Sequence, residues 1–89
     1  MTAVIVNIEE QRIVQALRDA AKKLNSAEPE TVLDFSSVRR VDASAVRALQ
    51  DLAAISQEKS VKVALRGVNV DVYKVFKLVK LTARFSFVN

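Results

Sequence analysis

The sequence has 89 residues, of which 51% are hydrophobic and 27% charged, a composition typical of a folded globular domain. It contains no cysteine and no histidine, which excludes disulfides, thiol nucleophiles and the commonest general base and metal ligand of proteins. Its single glycine, Gly67, excludes glycine-rich phosphate-binding loops. We therefore expect one domain over residues 1–89 without a metal or a cofactor. A carboxylate, lysine or serine mechanism is still compatible with this composition, but nothing in the composition calls for one.

Charge is distributed unevenly along the chain, whose net charge is +4. Residues 1–58 carry seven Lys/Arg and nine Asp/Glu, whereas residues 59–89 carry seven Lys/Arg and only Asp71. A basic C-terminal third favours contact with an acidic protein, an anionic lipid surface or nucleic acid, and it fits a solvated face without a partner equally well. No apolar run is long enough to span a membrane, and the N-terminus lacks the basic start of a signal peptide. We expect a cytoplasmic protein.

Four strand-like runs alternate with three helix-like runs. The predicted elements are strands at residues 3–7, 31–35, 61–65 and 84–88, and helices at residues 9–25, 42–57 and 70–81. In the first run Val4, Ile5 and Val6 are adjacent, as in strands covered on both faces. A loop around Pro29 follows the first helix, and Gly67 lies in a turn that suits positive φ. This alternation predicts an α/β domain of order βαβαβαβ, with a mostly parallel sheet of about four strands and right-handed crossovers.

Polar residues concentrate after the second predicted strand, where α/β sheets commonly bind ligands and partners. They are Asp34, Ser36, Ser37, Arg39, Arg40, Asp42 and Ser44. Asp42 fits the N-cap of the second helix. The free backbone N–H groups at that end of the helix would favour an anion, but the carboxylate of Asp42 would repel one. Turn and capping roles without further function explain the same spacing. An Asp34/Asp42 pair lacks a third ligand or a base, so a catalytic or metal role is a weak alternative.

Lys74, Lys77 and Lys80 step by three residues along the third predicted helix and could contact an anionic surface. The aromatic residues are better explained as core than as base-stacking groups, so no nucleic acid is expected as a partner. An acidic protein or a peripheral contact with anionic lipid explains the lysines equally well.

Residues 32–46, Val-Leu-Asp-Phe-Ser-Ser-Val-Arg-Arg-Val-Asp-Ala-Ser-Ala-Val, resemble the signature of the STAS domain, the family of bacterial anti-sigma factor antagonists. Residues 61–69, 72–81 and 85–88 resemble the third strand, closing helix and last strand of that family. The resemblance covers residues 30–89 well, and residues 1–29 resemble a shortened start with one strand where the family often has two.

This resemblance implies a non-enzymatic, protein-binding module. In the antagonists, the loop and the start of the second helix dock on an anti-sigma factor, typically a serine kinase, which phosphorylates the serine after the aspartate. Here that position is Ala43, so Ser44 is the candidate phosphorylation site. The resemblance adds Ala43 and Arg47 to the partner-binding residues, and Arg39 and Arg40 would pair with carboxylates of the partner.

A second branch of the family is also similar. Some STAS proteins are subunits of ABC transporters, including a lipid transporter of Gram-negative envelopes, and bind the ATPase subunit. Residues 65–73 and 40–42 resemble that branch, which does not require the phosphorylated serine. The sequence leaves the choice between the two branches open. It also leaves open whether the chain forms a homodimer.

Overall fold

A computed structural model describes residues 4–24 and 30–88 of the chain. The strands are β1 (Val4–Asn7), β2 (Glu30–Asp34), β3 (Lys62–Arg66) and β4 (Ser86–Val88), and the α-helices are α1 (Ile13–Lys23), α2 (Ala43–Lys59) and α3 (Val70–Leu78). The sheet has the order β1-β2-β3-β4, and every neighbouring pair of strands is parallel. The predicted small α/β fold with a parallel sheet is confirmed.

One face of the sheet carries the hydrophobic core. Val6, Leu33, Leu65 and Phe87 lie in register across the four strands, and all of them belong to the core or pack against it. All three helices contribute to the same core cluster, through buried residues such as Leu17, Leu49 and Phe76. Phe76 of α3 has no exposed surface and meets Phe87 edge-on, with ring centroids 5.4 Å apart.

The other face of the sheet is more open. Ile5 is in register with Val32 on this face, which lies outside the core cluster, and Ile5 is 57% exposed. The expectation that the first strand is covered on both faces is therefore wrong. An apolar run indicates burial on average, but it does not show which face of the strand is covered.

Several predicted boundaries are corrected by the structure. One turn of 3-10 helix, Glu10–Arg12, precedes α1, and α2 continues to Lys59. The second and third strands are each shifted by one residue, and β4 begins at Ser86 rather than at residue 84. The predicted first strand starts at residue 3, and the predicted first helix ends at residue 25. Both of these positions lie outside the described residues, as does the predicted loop at Pro29.

The largest correction concerns α3, which ends at Leu78 rather than at residue 81. Lys80 adopts a φ of 63°, and the backbone nitrogens of Lys80 and Leu81 donate to the oxygens of Lys77 and Phe76 at 3.1 and 2.8 Å. This pair of bonds is a Schellman termination. Lys80 therefore lies beyond the helix and not on the helical ridge predicted for the three lysines.

Candidate functional site

The segment between β2 and α2, residues 35–42, lies at the carboxyl edge of the parallel sheet and is called the docking loop below. Phe35 and Val38 are 0% and 2% exposed and anchor it to the core. The backbone nitrogen of Phe35 donates to the oxygen of Arg66 at 2.7 Å, and that of Val38 donates to the oxygen of Phe35 at 2.9 Å. These contacts give the loop a defined shape beneath its polar side chains.

Asp34 organises the start of the docking loop. Its Oδ1 accepts hydrogen bonds from the backbone nitrogen and the Oγ of Ser36 at 2.9 and 2.6 Å, and its Oδ2 accepts one from Nη2 of Arg66 at 2.9 Å. The bonds from Ser36 come first among the causes that lower the pKa of Asp34 to about 2. Both carboxylate oxygens are thus engaged within the chain, and Asp34 acts here by positioning Ser36.

Glu10 holds the middle of the docking loop from the turn before α1. Its Oε1 accepts hydrogen bonds from the backbone nitrogens of Arg39 and Arg40 at 2.6 and 3.0 Å. These two bonds are the largest causes that lower the pKa of the Glu10 carboxyl. Sequence reasoning missed Glu10, since nothing in the local spacing links it to residues 29 and 30 positions away.

Asn69 and Gly67 hold the loop from the side of α3. Nδ2 of Asn69 donates to the oxygens of Val38 and Arg39 at 3.3 and 3.2 Å, while Oδ1 accepts from the nitrogen of Val72 at 2.8 Å and caps α3. Gly67 has a φ of 74°, and a Cβ there would lie 2.9 Å from Cβ of Ser36. The predicted positive φ is confirmed, and it serves a close approach between the turn and the docking loop.

Arg39 and Arg40 therefore combine a fixed main chain with exposed side chains. Within residues 4–24 and 30–88, the ion pairs closer than 4.0 Å include neither guanidinium. A guanidinium presents a planar set of donors that matches a carboxylate, and holding its backbone in place reduces the entropy lost on binding. This arrangement suits recognition of carboxylates on another molecule.

The start of α2 adds the second half of the site. Oδ1 of Asp42 accepts from the nitrogen of Ala45 at 2.8 Å, which confirms the predicted N-cap. Ala43 and Ser44 are exposed in the first turn, and the exposed Arg47 lies one turn after Ala43 on the same side. Ser44 is about 100° further round the helix than Ala43. Ala43 offers no hydroxyl on the face that it shares with Arg47.

The structure thus brings the nine predicted partner-binding residues to one edge of the sheet. They are Asp34, Ser36, Ser37, Arg39, Arg40, Asp42, Ala43, Ser44 and Arg47. Lys74 and Lys77 lie separately, on the exposed side of α3. In the described part of the chain no cluster of three or more acidic side chains could hold a metal ion. None of the helices described is both long and apolar enough to cross a membrane.

Three comparisons with known proteins bear on this geometry. The family model described as "Mlab, STAS domain" matches residues 10–88. A solved structure from the stressosome, described as a signal integration and transduction hub, superposes with a TM-score of 0.72 at 20% identity, over 93% of this chain and 77% of that one.

A second structure belongs to a candidate anti-sigma factor antagonist of Thermotoga maritima and superposes with a TM-score of 0.69 at 17% identity, over 100% of this chain and 75% of that one. At these identities the two structures show a shared fold. A search of curated proteins found no match.

Proposed function

Because the chain belongs to the STAS domain family, we propose that it is a non-enzymatic cytoplasmic regulator that binds a partner protein through the docking loop and the start of α2. One observation carries this proposal. The main chain of Arg39 is held by Glu10 at its nitrogen and by Asn69 at its oxygen, while its side chain is exposed. A chain that fixes the backbone and frees the cation is prepared for contact with another molecule.

In this proposal the two halves of the site have different tasks. Arg39 and Arg40 pair with carboxylates of the partner, and Arg47 extends the same charge along α2. Ala43 supplies a small surface where the partner can approach the first turn of the helix. Asp34 and Asp42 keep the loop and the helix start in shape, since their oxygens accept hydrogen bonds from this chain.

The first candidate partner is an anti-sigma factor with serine-kinase activity, as the resemblance of residues 32–46 implies. The fold shared with the candidate antagonist from Thermotoga maritima supports this class. Since Ala43 cannot be phosphorylated, docking would be independent of phosphate at that position. A phosphate on Ser44 would add about −1.5 to −2 charges beside the arginines and would compete for them with the partner's carboxylates.

The second candidate partner is the ATPase subunit of an ABC transporter, which would bring the chain to the membrane surface. The observation that favours it is Ala43 at the first position of α2. The resemblance implies that a subunit of this kind does not need the phosphorylated serine, so alanine at this position fits it.

A pull-down from native lysate, read by mass spectrometry, distinguishes these partners. Wild type is compared with Arg40→Glu and with Arg18→Glu, which reverses an exposed charge on α1 away from the docking loop. We expect one major partner that Arg40→Glu loses and Arg18→Glu keeps, with equal melting temperatures for all three proteins. A serine kinase supports the first candidate, and an ATPase with its permease supports the second. Capture of neither class, or equal capture by both variants, contradicts the proposed site.

A further inference from the structure

An apolar groove lies beside the docking loop, where α3 begins and β4 ends. Its volume is about 260 Å³, and it is lined by Val68, Asn69, Val70, Tyr73, Phe87 and Val88. Val70 is 69% exposed, Val88 46% and Tyr73 40%. The rings of Tyr73 and Phe87 meet edge-on with centroids 5.2 Å apart, which gives the groove an ordered aromatic wall. Single exposed apolar residues are ordinary, but here several surround one concavity.

The groove and the docking loop share the same edge of the sheet. Asn69, which directly precedes Val70, donates to the oxygens of Val38 and Arg39 in the loop. On the other side of the groove, Val88 is in register with Arg66, whose guanidinium donates to Asp34. A molecule bound to the docking loop therefore has the groove within reach on the side of α3.

The exposed side of α3 beside the groove carries an excess of positive charge. On α3, Lys77 lies one turn after Tyr73, and Lys74 lies one turn after Val70, on the exposed side of the helix. Asp71 is rotated by about 100° from Val70 and about 160° from Tyr73, and it lies about 60° from Lys74, one turn before that lysine. The two lysines therefore outnumber the single carboxylate on the exposed side of α3. An occupant that complements the groove therefore combines an apolar side chain with flanking carboxylates.

We propose that the α3–β4 groove receives an apolar side chain from an acidic segment of the partner protein, as a second anchor beside the docking loop. The flanking carboxylates of that segment face Lys74, Lys77 and Arg39. This inference rests on the proposed function, because it extends the same binding surface along α3. It also predicts the sequence pattern of the partner's segment, in which an apolar residue is flanked by Asp and Glu.

A matched pair of variants on α3 tests the groove. Val70→Asp places a charge at its rim, at the first position of α3, where a carboxylate is favourable to the helix. Leu78→Asp places the same charge at an 81% exposed residue, two turns further and about 80° round the helix. The probe is a phage-displayed library of random dodecapeptides, selected on the immobilised wild-type protein. Val70→Ser adds a neutral truncation, and thermal melting establishes that every variant is folded.

We expect the enriched peptides to place an apolar residue among Asp and Glu. Their affinity should fall at least about tenfold with Val70→Asp and stay nearly unchanged with Leu78→Asp. No enrichment, or equal losses in both variants, overturns the inference.

Two further results separate the groove from the proposed function. Loss with Arg40→Glu but not with Val70→Asp supports the docking loop and rejects the groove. Loss with Val70→Asp but not with Arg40→Glu supports the groove and rejects the docking loop. Vesicles of phosphatidylglycerol and phosphatidylcholine form the last arm of the test. Vesicle binding that Val70→Asp abolishes, without enrichment of any peptide, rejects the protein partner in favour of a lipid surface.

Discussion

The Oε1 atom of Glu10 lies 2.6 Å from the backbone nitrogen of Arg39, a contact that joins the turn before α1 to the docking loop across 29 residues. The same oxygen accepts from Arg40, so one carboxylate holds two consecutive main-chain groups. Hydrogen bonds to a charged acceptor are stronger than those between neutral groups. Glu10 therefore sets the conformation from which both arginine side chains project.

Removing this carboxylate should loosen the docking loop. In Glu10→Ala we expect the amide hydrogens of Arg39 and Arg40 to exchange at least about tenfold faster, since both lose their acceptor. Hydrogen exchange followed by NMR measures this directly. Glu10→Gln, which keeps an acceptor oxygen without the charge, should show an intermediate effect. Unchanged exchange at the two amides in Glu10→Ala would mean that the core contacts of Phe35 and Val38 hold the loop alone.

The low pKa of Asp34 predicts a pH dependence of stability. Its pKa is about 2 in the folded protein against an ordinary value of 3.8, because Ser36 and Arg66 donate to the ionised form. A lowered folded-state pKa contributes stability that is present above the unfolded value and is lost as the pH falls through the folded value. The free energy of unfolding should therefore decrease as the pH falls from about 4 towards 2.

Urea unfolding at a series of pH values measures this decrease. In Asp34→Asn the decrease over that interval should be smaller, because no carboxyl remains there to titrate. Parallel profiles for wild type and Asp34→Asn would assign the acid sensitivity to other carboxylates.

Glycine substitutions at Lys77 and Lys80, which are one turn apart, should change the stability of the fold in opposite directions. Lys80 has a φ of 63°, which is unfavourable for a residue with a Cβ and accessible to glycine. We expect Lys80→Gly to stabilise the fold by about 0.5 kcal/mol, or about 3 °C in Tm. Lys77 is within α3, so Lys77→Gly should cost about 1 kcal/mol and lower Tm by about 5 °C. Calorimetry of both variants measures the shifts, and destabilisation by Lys80→Gly would contradict the left-handed termination of α3.

Most of the fold follows from local patterns in the sequence. Apolar residues around Leu17 recur at helical spacing, and Leu33 and Leu65 each lie in a short apolar run. These patterns made the alternation of helices and strands predictable. Asp42 was also predictable as a cap, because capping depends on a residue and its own next turn. Such patterns report only on contacts between residues that are close in the sequence.

The features that were missed depend on distant contacts. Glu10 and Asn69 bond the docking loop over about 30 residues, and a polar residue carries no sign of such a partner in its own surroundings. The exposure of Ile5 follows from its place on the face of the sheet that lies away from the core, which a single run cannot reveal. Lys80 continues the helical spacing of the lysines in the sequence, but its backbone is left-handed and lies beyond the end of α3.

The missing hydroxyl at Ala43 offers a test of regulation at the start of α2. If the partner is a serine kinase, Ala43→Ser should become a substrate at that residue, because the new hydroxyl lies on the exposed face that also carries Arg47. Phosphate there adds about −1.5 to −2 charges and should weaken docking at least about tenfold, since it repels the carboxylates that pair with Arg39 and Arg40.

The purified partner, ATP and mass spectrometry of the phosphorylated peptide provide the measurement, followed by titration of the modified protein. Ser44→Ala in the same background is the matched control, because it removes the neighbouring hydroxyl and leaves the new one. Phosphate on Ser44 of the wild type at the rate found for Ala43→Ser would show that the kinase accepts either position, and that replacing the usual serine by Ala43 does not free this chain from phosphorylation. No phosphorylation of either protein by the partner would favour the ATPase subunit, since the resemblance to that branch implies no phosphorylated serine at the start of α2.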